Sequence, residues 1–212
     1  MKMCAAGWQV SKESLFYEMG WDLFTVIQIE SETTGTVLVK ENDKFVCYTN
    51  GVKDTTKNSF ITFEGIQYFV SNGVLIDTMN GLVNDPKNPS AWYYCANGAV
   101  QKYTGLAEYD GAWFYVADGK LDTNISGYVA YDTGLFYVGL GRIMTEVNGL
   151  AQDTATGAWY YLANGQVQNQ YTGLAMYDNA WFYVVNGVLA SDYTGYVTYD
   201  GSTFYVVNGM LK

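Results

Sequence analysis

The sequence predicts an all-β chain, a β-hairpin solenoid of about eight repeats of about 22 residues with three hairpins per superhelical turn. Three observations carry that expectation. Glycine recurs at Gly51, Gly73, Gly98, Gly119, Gly141, Gly165, Gly187 and Gly209, and each closes a near-copy of one segment. Tyr103 to Leu121 reads YTGLAEYDGAWFYVADGKL, and Tyr171 to Leu189 reads YTGLAMYDNAWFYVVNGVL. Aromatics make up 17% of the chain against 15% charged residues and 2 Pro, a composition that suits strands and disfavours disorder or long helices.

The first 30 residues fit the repeat poorly. Phe24-Thr25-Val26-Ile27 falls 68 residues before Trp92-Tyr93-Tyr94-Cys95, so residues 1–30 read as an N-terminal segment or a degenerate capping hairpin, and residues 31–212 as one array. Within each unit of the array, a two-residue link such as Asp110-Gly111 separates two apolar runs, the strongest short-range hairpin signal. Glu64-Gly65 and Asp200-Gly201 repeat it. A second turn follows each hairpin, at Asn50-Gly51, Asn72-Gly73 and their equivalents, where Gly supplies positive φ without steric cost. Leu140-Gly141 departs from this pattern.

With Asp110 and Gly111 as the whole loop, Tyr109 pairs with Ala112, Glu108 with Trp113, Ala107 with Phe114 and Leu106 with Tyr115. Alternation then places Ala107, Tyr109, Phe114 and Val116 on one face, the expected core, and Leu106, Glu108, Trp113 and Tyr115 on a half-exposed face. Comparison of units supports this choice. The Phe114 position stays apolar or aromatic throughout, whereas the Trp113 position becomes Gln67 and Thr203 elsewhere.

A longer period lies over the short one. Trp92, Gly105, Trp113 and Gly141 map onto Trp159, Gly173, Trp181 and Gly209 at shifts of 67 or 68, so three hairpins form one higher-order unit. In every third hairpin the Trp position is lost, at Gln67, Leu135 and Thr203. The first strand there gains an aromatic, at Phe60, Tyr128 and Tyr196.

Composition excludes several functions. The net charge of −10 with 11 Lys+Arg leaves no electrostatic footprint for nucleic acid or an anionic membrane surface. No run of 18 apolar residues exists to insert into a membrane. Met1 to Val10 lacks the apolar core of a secretory signal peptide, so export would use a segment outside this sequence, or the protein would leave its cell by lysis. The chain has no His, which removes the commonest general base and transition-metal ligand. Asp110, Asp132, Asp178 and Asp200 share one turn position, and repetition there argues for a structural role, so the chain is expected not to be an enzyme. Asn84 to Ser90 reads as a long hairpin loop rather than a metal site, and no cofactor is implied. Cys47 and Cys95 replace Tyr, Val or Leu of other units and read as small buried hydrophobes; with Cys4 they imply neither a disulfide framework nor a metal site.

The pattern TGL…YDG.WFYV.NG resembles the cell-wall-binding repeats of Gram-positive bacteria and their phages, the choline-binding and glucan-binding family, over about residues 31–212. The resemblance implies a β-hairpin solenoid and a ligand cage between successive hairpins. Carried over residue by residue, the cage matches at Trp113, Tyr115 and Tyr128, and again at Trp181, Tyr183 and Tyr196. The family's GW tryptophan is Leu106, Leu150 or Leu174 in three units, and the first cage, Phe45, Cys47 and Phe60, is degraded. The implied function is a non-catalytic module at the bacterial surface, extracellular, from a secreted protein or phage lysin. It would hold a choline-bearing teichoic acid or a glycan, since aromatic faces suit both quaternary ammonium groups and sugar rings. The alternative is a structural or adhesin-like solenoid that docks a host protein, which the missing GW tryptophans favour.

Overall fold

The computed structural model describes residues 35–212, so the segment 1–30 lies outside the described residues. Among the described residues the fold is the expected all-β solenoid of hairpins, with 24 strands and no helix. The eight hairpins are Thr36–Glu41 with Lys44–Thr49, Ser59–Phe63 with Ile66–Ser71, Gly81–Asp85 with Asn88–Ala96, and Gly105–Tyr109 with Ala112–Ala117, followed by Gly127–Tyr131 with Gly134–Gly139, Gly149–Gln152 with Trp159–Ala163, Gly173–Tyr177 with Ala180–Val185, and Gly195–Tyr199 with Ser202–Val207. The strands group into two compact units. One runs through Tyr103 and includes Asp118–Leu121; the other holds Thr104–Ala117 and Asp122–Lys212.

The tip chemistry fixes the register. Asp110 and Gly111 have φ of 50° and 74°, and Glu64-Gly65 and Asp200-Gly201 repeat this geometry, which is the type I′ turn whose twist matches that of the flanking strands. The resulting pairs, Tyr109 with Ala112, Glu108 with Trp113, Ala107 with Phe114 and Leu106 with Tyr115, are those the sequence predicts.

The second turn builds a feature that the repeat did not announce. It leads into a third strand of two residues, such as Val188–Leu189 or Met210–Leu211. This short strand returns along its own hairpin, Val184 opposite Leu189, and also reaches the preceding hairpin, Tyr160 opposite Val188. The turn glycine is the joint. In the eighth hairpin, Gly209 donates its N–H to the Tyr193 carbonyl at 2.9 Å, and its own carbonyl accepts from Tyr183 N–H at 2.8 Å. A Cβ on Gly209 would stand 2.7 Å from the Ala190 carbonyl oxygen, and at Gly73 and Gly119 the corresponding distances are 2.1 and 2.2 Å. The glycine period is therefore required twice over, by positive φ and by close backbone approach. Tip glycines Gly65, Gly111 and Gly201 meet nothing within 4 Å and answer only to the turn.

Burial corrects the expected division into faces. Val116 and Ala107 are buried and Trp113 and Glu108 exposed, as expected, but Leu106 from the presumed outer face is only 2% exposed, and Tyr109 from the presumed core face is 43% exposed. The reason is that an internal hairpin has a neighbour on each side. In the seventh hairpin, Leu174 packs against Val197 and Val206 of the eighth, while Ala175 on the opposite face packs with Leu150 of the sixth. Both faces are covered near the base, and the tips project beyond their neighbours. The free cysteines Cys47 and Cys95 are both buried, and burial pushes each thiol up to about 11.

Candidate functional site

Trp181 sits one residue into its strand, opposite Met176 and three pairs from the hairpin base at Gly173, so it lies out along the hairpin, where covering by the neighbour thins. It is 37% exposed. With Leu174 of its own hairpin it forms one wall of a groove of about 280 Å³. The eighth hairpin supplies the other wall through Tyr199, Asp200, Ser202, Phe204 and Leu211. Gly173 has a specific part in this. The ring of Tyr199 lies so close that a Cβ on Gly173 would be 2.8 Å from it.

The same arrangement recurs one hairpin earlier in a narrower form. Leu150, Trp159, Tyr177, Phe182 and Leu189 line a groove of about 170 Å³, and the rings of Trp159 and Tyr177 meet edge to face at 4.6 Å. Between the fourth and fifth hairpins, Trp113 faces Tyr131 at 6.2 Å. Trp113 and Trp159 thus meet the tyrosine that precedes the tip Asp of the next hairpin, and Trp181 shares its groove with the corresponding Tyr199.

The fifth hairpin breaks the series and fills its own groove. Leu135 replaces the tryptophan, and Tyr128 lies against Tyr137 at 5.1 Å and Tyr160 at 4.8 Å, its hydroxyl donating to the Ala151 carbonyl at 3.0 Å. Burial raises the Tyr128 pKa, and the phenol stays neutral. Its counterpart Tyr196 is 72% exposed and touches Tyr205 at 4.8 Å.

The six aromatics taken from the sequence are therefore distributed as follows. Trp113 and Trp181 stand exposed beside the next hairpin. Tyr115 packs into the cluster of Leu106, Val129, Val138 and Ile143, and Tyr183 into that of Leu174, Val197 and Val206, beneath the groove. Tyr128 and Tyr196 pair with Tyr137 and Tyr205 of their own hairpins. The groove residues that the sequence reading passed over are Tyr131, Tyr177, Tyr199 and Phe204. For the three tyrosines the signal was the Tyr-Asp pair that recurs at Asp132, Asp178 and Asp200, and for Phe204 it was a strand position that stays apolar or aromatic in every unit; alternation assigned both to the core.

The electrostatics of the second unit are one-sided. It carries nine Asp and Glu against Arg142 and Lys212, and Arg142 is paired with Glu146 at 2.8 Å. Asp200 borders the groove of Trp181 and Tyr199, and none of that groove's lining residues is basic.

The family model of the choline-binding repeat matches residues 102–122, 170–190 and 192–212, which are the fourth, seventh and eighth hairpins with their third strands. Among solved structures, the chain is similar to CbpF crystallised with ipratropium by soaking, at 20% identity and a TM-score of 0.36, covering 79% of this chain and 57% of that one. This chain thus spans little more than half the length of the CbpF chain. It is also similar to the choline-binding domain of CbpL from Streptococcus pneumoniae, at 20% identity and a TM-score of 0.34, covering 85% of this chain and 97% of that one. No curated protein matches the sequence. The likeness to the choline-binding repeat thus rests on three of the eight described hairpins.

Proposed function

We propose that the protein is a non-catalytic attachment module of the bacterial cell surface, whose aromatic grooves hold the quaternary ammonium of a choline-bearing wall polymer such as teichoic acid. The observation that carries this is the groove of Trp181, Tyr199 and Phe204 with Asp200 on its border and no basic lining residue. Ring faces attract a quaternary ammonium by about 0.5–2 kcal/mol per contact, and a nearby carboxylate adds a charge term that a neutral sugar would not feel. Trp113 with Tyr131 repeats the pair in a second position. Tyr115 and Tyr183 support these grooves from beneath, and Tyr128 and Tyr196 mark the places where the series changes. One groove of this kind binds weakly. Several on one chain, engaging a polymer with many choline groups, raise avidity by factors on the order of 10² to 10⁴.

The adhesin-like reading draws on exposed apolar side chains, Tyr196 at 72%, Leu140 at 75% and Met176 at 55%, which offer a surface to a host protein. One experiment separates the two. Retention on immobilised choline, released by free choline and weakened by Trp181→Ala, supports the attachment module. A chain that ignores choline, with tryptophan fluorescence unmoved at millimolar ligand, overturns it in favour of protein docking.

A further inference from the structure

Asn-Gly dipeptides recur with the repeat, and glycine leaves the next backbone nitrogen unshielded beside the asparagine side chain. In the closing turns, Asn50, Asn72, Asn97, Asn164, Asn186 and Asn208 share one conformation, with φ between 48° and 51°, so backbone shape does not distinguish them. Packing does. The N–H groups of Gly73, Gly98, Gly165, Gly187 and Gly209 donate to linker carbonyls at 2.8–3.0 Å, and all five glycines are buried. Asn80 and Asn148 are restrained differently. Asn80 donates to the Thr78 carbonyl at 3.0 Å while its oxygen accepts from Asn97 N–H at 3.0 Å, and Asn148 bonds Glu146 and Asn164 likewise at 3.1 and 2.8 Å, so both amides are held at each end. Asn50-Gly51 stands apart. Asn50 is exposed and Gly51 half-buried, and Val52–Lys53 after them is the only third strand among the described residues with both side chains exposed, Val52 at 70%.

We propose that Asn50 is the protein's site of spontaneous deamidation. The Gly51 backbone nitrogen attacks the side-chain carbonyl carbon of Asn50, the carbon–nitrogen bond of the side-chain amide breaks, and ammonia leaves with the proton that Gly51 gives up. The product is a cyclic succinimide. Water then opens it at either carbonyl, to aspartate or to isoaspartate, and no oxidant or further reactant enters. Ring closure requires the turn to open far enough to bring the nitrogen onto the side chain. At the five buried glycines that opening breaks a backbone hydrogen bond and unpacks the linker, whereas at Gly51 the exposed pair Val52 and Lys53 is what must move. Isoaspartate adds a carbon to the backbone of the turn, which displaces Lys53, whose ammonium donates to Glu41 at 2.7 Å.

The test incubates the full chain for weeks in mildly alkaline buffer, natively and in urea, and then digests it after Lys and Arg. Phe45 to Lys53 is released as one peptide whose Asn-Gly is Asn50-Gly51 alone. Mass spectrometry follows the conversion of amide to acid at every site, and enzymatic methylation reports isoaspartate. In the native chain Asn50 is expected to react at least about tenfold faster than Asn72, Asn97, Asn164, Asn186 and Asn208, and in urea, where the fold protects none of them, the difference is expected to vanish. Asn50→Gln, whose longer side chain closes the ring far more slowly, should remove the fast phase of ammonia release. The proposal is overturned if Asn50 reacts no faster than the buried turns in the native chain, if its excess persists in urea, or if the fast phase survives Asn50→Gln.

Discussion

Gly187 and Gly111 have almost the same φ, 77° and 74°, yet they answer to different constraints. Alanine at Gly111 adds a left-handed L-residue with free space around it and should cost roughly 1–2 kcal/mol. Alanine at Gly187 would also drive its Cβ to 2.7 Å from the Gln168 carbonyl oxygen, backbone that is itself held by a hydrogen bond to Tyr161. Gly187→Ala should therefore lower the melting temperature well beyond Gly111→Ala, and equal effects would refute the joint. Leu140 is the converse case. It takes φ of 48°, where the equivalent turns use Asn or Asp, and its side chain is 75% exposed. Leu140→Asn should stabilise by up to about 1 kcal/mol, read from denaturant midpoints, because Asn tolerates the left-handed region and no packing is lost.

At the scale of the hairpin, stability resides at the base. Leu162 is 1% exposed and Val52 is 70% exposed, so Leu162→Ala should cost roughly 2–5 kcal/mol and Val52→Ala within about 0.5. The first hairpin differs in carrying a polar network in place of the tyrosine stack formed by Tyr161 and Tyr171. Thr56 and Thr49 donate to the Asp54 carboxylate, which holds its pKa down to about 2. A depressed carboxylate stabilises the fold above its unfolded pKa, and this contribution fades as pH falls from about 4 toward 2. Local melting of the first hairpin, followed by amide exchange, should therefore begin in that window, and Asp54→Asn should flatten the dependence.

At the scale of the whole molecule, the proposed choline grooves lie in the second unit. The second unit combines excess negative charge with aromatic grooves, so choline should protect its amides from exchange, and raising the salt should weaken that protection by screening. Trp181→Ala should abolish protection around Tyr199 and Phe204, while Trp159→Ala, in a groove already narrowed by Tyr177, should change choline affinity little. Equal losses from the two substitutions, read by calorimetric titration, would show that groove width does not select the ligand site.

The sequence by itself determined the hairpins, because their information is local. The tip residues Asp110 and Gly111 dictate a type I′ turn, the turn dictates the register, and the period of the closing glycines dictates the repeat. It also placed the Trp positions on a half-exposed face, where Trp113 and Trp181 are found exposed. What only the tertiary structure decided is which rings meet. Trp113, Trp159 and Trp181 look to Tyr131, Tyr177 and Tyr199 of the following hairpin, across a contact set by the short third strand and the glycine joint. Alternation along a strand assigns a side chain to a face. Whether that face is covered depends on how far a neighbouring hairpin reaches, and this is why Leu106 is buried, Tyr109 is exposed, and Tyr128 closes a groove that its counterpart Tyr196 does not.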